Sequence, residues 1–136
     1  MLLIKHLLSN SYSFTHIVHG ILFVVLLKYI LKVTNTYKQV IASLSIEAVW
    51  EVLENTSYII ESYRSITLAR GYYGDSVINS IGAMVSMLAG VFIAQQLTLY
   101  SILILLVLLE AGMYKLLGDN LTLNIINLIA PRLINK

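Results

Sequence analysis

Cysteine is absent from this chain, which excludes disulfide bonds and thiolate metal ligands without fixing the cellular compartment. Proline occurs once, at Pro131, and no Gly- or Ser-rich linker interrupts the sequence, so residues 1–136 are expected to form a single domain. Charge is scarce. Asp, Glu, Lys and Arg make up 12% of the 136 residues, about half the share usual in soluble domains. So few charges cannot cover a water-facing surface. A net charge of +2, with few basic residues outside the apolar runs, also argues against a nucleic-acid partner. Met1 to Asn10 holds one lysine and a short apolar run with no cleavage-like site, and it is not read as a signal peptide. Gly-rich phosphate loops, Gly-x-Ser-x-Gly elbows and His-Glu-x-x-His helices are all missing, and no serine stands out as a nucleophile.

Apolar residues are what the chain has in quantity: 58% of the total, with a mean hydropathy of +0.82. Four runs approach or reach the roughly 20 residues that cross about 30 Å of hydrocarbon. They lie at about 14–31, 40–60, 77–95 and 97–117. In lipid an isolated strand or loop leaves backbone groups unsatisfied, so each run is expected to be a helix. The fold class is therefore all-α, an integral membrane bundle of four transmembrane helices. Leu121 to Ala130 is apolar but too short to span, and reads as an interfacial or re-entrant helix ended by Pro131. The loop from Glu61 to Gly74 carries Tyr63, Arg64, Arg70, Tyr72 and Tyr73, the mixture expected at a headgroup boundary.

Against this background Glu47, Glu51 and Glu54 are costly. Their i, i+4, i+7 spacing places them on one helical stripe, which Tyr58 continues. Ionisable groups inside a bilayer require partners, water or an ion, and mark a functional site by default. With alternating spans, His16 and His19 fall on the same membrane side as Glu51, Glu54, Asp75, Asn79, Glu110 and Asp119. Asp75, Asn79, Gly82 and Ser86 form a second stripe, with Gly90 near its line. It is expected to pack against the glutamates through small residues and cross-helix hydrogen bonds.

Each group carries a chemical reading and a plainer one. Glu51, Glu54, His19 and Asp75 are candidates for acid–base catalysis; otherwise the acids brace the bundle, with Arg64 as a partner, and Asp75 caps a helix. His16, His19 and Glu51 could bind one divalent metal ion, zinc or iron suiting the mixed set, or the imidazoles simply satisfy hydrogen bonds. Tyr63, Arg64, Asn79 and Glu110 are candidate substrate-binding residues, with Arg64 suited to a lipid phosphate; anchoring at the interface is the alternative for the first two.

The strings SFTHIVHG, EAVWEVLENTSYIIESYR, YYGDSVINS and DNLTLNI occur in order from Ser13 onward. Together they resemble uncharacterised protein family 0314 (domain of unknown function 2585), a family of small bacterial multi-pass inner-membrane proteins, and the likeness runs from Tyr12 to about Ile129. The resemblance implies multi-pass insertion in the inner membrane and brings no established activity. Family members usually carry a further N-terminal span before the His-x-x-His stretch, absent here. Placed with its start inside, that span would put the polar end of the bundle toward the periplasm. Lys28, Lys32 and Lys38 on the opposite face agree with that orientation, whereas Lys5, Arg64, Arg70, Lys115, Arg132 and Lys136 oppose it. The family also often has an acidic residue where this chain has Ala83.

Three functions compete on these observations. One is an enzyme-like site acting on a lipid or lipid-linked substrate. The second is a structural or regulatory subunit with a membrane-protein partner. The third is a proton- or cation-coupled transport component, which would have to assemble as a homo-oligomer because four short spans without a repeat are few for a monomeric transporter.

Overall fold

The computed structural model describes residues 11–66 and 77–130. Helix α1, Ser11–Val24, continues as a π-helical turn over Val25–Ile30, where the N–H of Leu31 reaches back to the carbonyl of Leu26. Then follow α2 (Thr36–Glu54), α3 (Ser57–Ile66), α4 (Val77–Gln96), α5 (Leu99–Leu117) and α6 (Leu121–Ile129). The described residues contain no strand, in line with the all-α expectation.

Three helical segments, Ser13–Ile30, Val77–Gln96 and Leu99–Leu117, are long and apolar enough to cross a membrane. The expected fourth, at 40–60, is not a single apolar helix. Its helix starts earlier, at Thr36, and ends at Glu54. It carries Lys38 as well as the three glutamates. At the break the Asn55 side-chain amide donates to the Glu51 carbonyl and the Thr56 hydroxyl to the Leu53 carbonyl. These local bonds give the backbone an alternative to continuing the helix. The chain restarts as α3, and Tyr58, 76% exposed, does not extend the glutamate stripe.

Helix α1 is the centre of the packing. It lies chiefly along α4, with α2 and α5 also against it. Ile21, Val24, Met87, Val91, Ala94 and Ile102 form the main core cluster. At the α1–α4 crossing two glycines let the backbones meet. A Cβ on Gly20 would lie 2.0 Å from the Met87 carbonyl oxygen, and one on Gly90 would lie 2.1 Å from that of Ile17. The packed face of α4 is therefore Ala83, Met87, Gly90, Val91 and Ala94. The expected small-residue stripe is rotated away from it: Gly82 is exposed, with open space where a Cβ would point. Backbone approach requires a small residue opposite another backbone, and sequence spacing alone did not single out which glycine meets one.

Gln95 at the end of α4 donates to the Thr36 carbonyl and to Gln39 Oε1 at the start of α2, so α2 and α4 run antiparallel. The short reversal from Leu31 to Asn35 turns through Lys32 at φ 58°, a left-handed conformation unusual outside glycine. Asn35 caps α2 by accepting from the Lys38 N–H. Helix α1 consequently runs in the same direction as α4, which sets its histidines beside the second half of α2.

Helix α5 ends at Gly118, in the left-handed conformation at φ 70°. Asn120 then caps α6 by accepting from the Leu123 N–H. The short helix expected after residue 120 is thus present, at Leu121–Ile129. Leu121 packs with Val18 and Met113, placing α6 against the same end of α1 that bears the histidines.

Candidate functional site: a buried histidine–carboxylate cluster

The inward face of α2 is polar along its length. Gln39, Ser43, Glu47 and Glu51, one turn apart, are all buried. Glu47 is fully buried, and His16 and Glu51 are 6% and 5% exposed. From α1, His16 Nδ1 lies 2.5 Å from Glu47 Oε1, and His19 Nδ1 lies 3.2 Å from Glu47 Oε2. Because a carboxylate only accepts, both imidazoles donate to it from Nδ1. Each oxygen of Glu47 thus takes an N–H from a different histidine, as the i, i+3 spacing of the pair allows. The other side of the His16 ring faces the next turn of α2, with Nε2 at 3.9 Å from Glu51 Oε1.

Among the described residues two sets of potential metal ligands have one donor atom from each member within 4.8 Å of the others: His16, His19 and Glu47; and His16, Glu51 and Glu54. The combination expected from sequence, His16 with His19 and Glu51, is not among them. His19 turns toward Glu47 instead. Its ring is further fixed by Phe23, stacked at 5.9 Å between centroids, and by the edge of Trp50 at 6.0 Å. Trp50 is therefore part of the cluster's wall. Beside it opens a cleft of about 240 Å³, lined by His19, Leu22, Phe23, Ile46, Trp50 and residues of α6 including Leu121, Asn124 and Leu128. Its walls are almost wholly apolar, and His19 is the polar group linking it to the cluster.

The remaining candidates divide. Glu110 does not join the histidines. Its Oε2 accepts from the backbone N–H of Thr122 at 3.0 Å and from the Thr122 hydroxyl at 2.6 Å, while Asn120 donates to its carbonyl. These bonds tie the start of α6, which lines the cleft, to α5. Asp119 accepts from the Asn120 N–H; burial, with Glu110 nearby, holds its carboxyl above the usual carboxylate range. Asn79 is half-buried one turn before Ala83 on α4. Asp75 lies outside the described residues, and Tyr63 and Arg64 belong to α3 with side chains outside the described set. Gln39 and Ser43 escaped notice in the sequence, although their i, i+4 continuation from Glu47 back toward Thr36 was a readable signal.

Helices long and apolar enough to cross a membrane, surrounding a buried histidine–carboxylate cluster, define the class. Residues 5–135 match the protein family described as "Protein of unknown function (DUF2585)", and the chain belongs to that family. It is 36% identical over 124 residues to a UPF0314 protein of Sphingopyxis alaskensis, 38% to one of Brucella anthropi and 39% to one of Rhizobium johnstonii. Each alignment covers 91% of this chain and 63–66% of the relative, so the chain spans somewhat under two thirds of their length. No solved structure matches it.

Proposed function

We propose that the protein is a multi-pass inner-membrane protein whose His16–Glu47–Glu51 cluster performs acid–base chemistry on a lipid or lipid-linked substrate. In this reading α2 crosses the membrane as a fourth span, hiding Glu47 and Glu51 on its inward face. The cluster faces the periplasmic side. The carrying observation is the junction of two environments at His19: a buried imidazole–carboxylate pair on one side and an apolar cleft on the other. A cleft with apolar walls and a few convergent polar groups is the usual form of a small-molecule site. His16 and His19 can exchange protons with Glu47, while Glu51 and Glu54 lie across the His16 ring. Arg64 and Asn79 remain candidates to hold a headgroup, and Asp75 to orient a histidine.

The test compares total lipid extracts, by mass spectrometry, from cells carrying the native gene and cells carrying Glu51→Gln or His19→Gln. One lipid-linked species is expected to accumulate in both variants. Extracts indistinguishable from those of the native strain would remove the basis for a lipid substrate.

A second reading is favoured by the polar face of α2. Ser43 Oγ is fully buried and has no hydrogen-bond partner among the described residues, and the Gln39–Gln95 pair continues the stripe to the start of α2. Such a series suits a proton or cation path better than a closed active site. Proteoliposomes would separate the two: flux of protons or a monovalent cation that is abolished by Glu47→Gln favours transport, and its absence favours the enzyme.

A further inference from the structure

The His19 imidazole has one nitrogen fixed and one left over. Nδ1 donates to Glu47, so in the neutral ring Nε2 carries a lone pair. Among the described residues Nε2 has no hydrogen-bond partner, although the side chain is only 11% exposed. Phe23 and Trp50 hold the ring in place, so it is not free to turn elsewhere. A largely buried acceptor left without a donor is costly, and a ligand that supplies one relieves the cost. The open space beside His19 is the apolar cleft.

That cleft is polar at one end. Besides His19, its hydrogen-bonding side chains are the Trp50 indole and the buried amide of Asn124, and no Lys, Arg, Asp or Glu lines it among the described residues. Leu22, Ile46 and Ile125 are its exposed lining residues and mark the mouth. Leu22 and Ile46 each lie near the middle of their helices, so in a membrane this mouth opens toward acyl chains. A ligand entering there comes through hydrocarbon, where a charged group is expensive. The Glu47 carboxylate behind the imidazole repels an anionic head further. A cationic head is drawn to that carboxylate but finds both its oxygens already taken by histidine N–H groups. A hydroxyl meets neither obstacle. It can donate to Nε2 and accept from the indole or amide N–H. About 240 Å³ is below the range of about 300–1,000 Å³ usual for sites that enclose a whole ligand, so one end of a narrow molecule fits and its tail stays in the bilayer.

We infer that the cleft receives the hydroxyl end of an uncharged, single-chain lipid alcohol, whose O–H donates to His19 Nε2. Glu47 is the positioning residue that presents this nitrogen. The inference rests on the reading of the cluster and cleft as a working site and names its substrate class. The proton of a hydroxyl held in this way lies on the atom that a general base would use.

Trp50 is the one tryptophan of the chain and lines the cleft, so its fluorescence reports what enters. The full chain in detergent micelles is titrated with four probes bearing a terminal bromine, which quenches tryptophan on contact: bromoundecanol, bromoundecane, bromoundecyl phosphate and bromoundecylammonium. In native protein the alcohol should reach half-quenching at about one-tenth the mole fraction of the alkane, the size of one net hydrogen bond. The phosphate and the ammonium should do no better than the alkane. Unbrominated undecanol should restore the emission, and undecane at the same mole fraction should not. In His19→Phe quenching by the alkane should persist, showing that the cleft has formed, while the advantage of the alcohol disappears. With the reporter moved to the exposed neighbouring position, Trp50→Phe with Val49→Trp, alcohol and alkane should quench alike. Equal quenching by alcohol and alkane in native protein would overturn the inference, as would an undiminished advantage of the alcohol in His19→Phe. Preference for the phosphate or for the ammonium would overturn it as well. His19-dependent binding of the alcohol, with lipid extracts unchanged by Glu51→Gln, would keep this site and end the acid–base reading. Extracts that change with Glu51→Gln, in a protein showing no preference for the alcohol, would do the reverse.

Discussion

Gly20→Ala and Gly90→Ala are expected to disrupt the bundle, each lowering stability by at least about 3 kcal/mol, near the upper end of the usual overpacking cost. The added methyl would sit 2.0 Å from the Met87 carbonyl oxygen in one case and 2.1 Å from the Ile17 carbonyl oxygen in the other. Both obstacles are backbone, so neither can move aside as a flexible side chain would. Alanine also has the higher helix propensity, by up to about 1 kcal/mol, which acts in the opposite direction but is too small to win. Gly82 supplies the contrast. It lies on the same helix as Gly90 with open space around it, so Gly82→Ala should be neutral or slightly stabilising. Thermal unfolding in detergent, followed by loss of the monodisperse species, would rank the three. Equal melting temperatures for Gly82→Ala and Gly90→Ala would mean that α1 and α4 do not cross at these glycines.

Glu47→Ala should be the most damaging change within the cluster. It leaves the Nδ1 protons of His16 and His19 buried without their acceptor, and breaking a buried charged contact by removing one partner costs about 3–5 kcal/mol. Glu47→Gln retains an acceptor and should cost markedly less. If the cluster is in fact a water-exposed arrangement, both variants will resemble native protein in stability. The double replacement of His16 and Glu47 should be less harmful than the sum of the single changes, since residues in contact couple energetically.

Helix positions were legible from the sequence because lipid-crossing segments announce themselves by length and apolar content. The third and fourth runs and the short final helix all appear close to their expected bounds. The second run departs from its expected bounds, its helix running from Thr36 to Glu54, for an equally physical reason. Hydropathy averages over all faces of a helix, and α2 buries Glu47 and Glu51 on one. Its stop at Asn55 depends on local side-chain bonds to the backbone, which an apolar-run reading overlooks. The meeting of His16 and His19 with a glutamate of α2 followed from span direction alone, yet the identity of the central acid did not. Glu47 is the hub, because the crossing at Gly20 and Gly90 sets how far along α1 the histidines lie. The partner of Glu110, Thr122, lies twelve positions away across a turn whose geometry the sequence does not display.

The meeting of α1 and α2 at the histidines can be tested most directly by thiol cross-linking, for which the absence of cysteine provides a clean background. His16→Cys paired with Glu47→Cys should be joined in membranes by a short bifunctional thiol reagent, given the direct contact of the native side chains. His16→Cys paired with Val49→Cys, whose native valine lies exposed on another face of α2, should not be joined. Efficient linkage of the first pair with little of the second is the predicted result. Equal linkage of both, or linkage of the Val49→Cys pair alone, would contradict the buried cluster on which the functional reading stands.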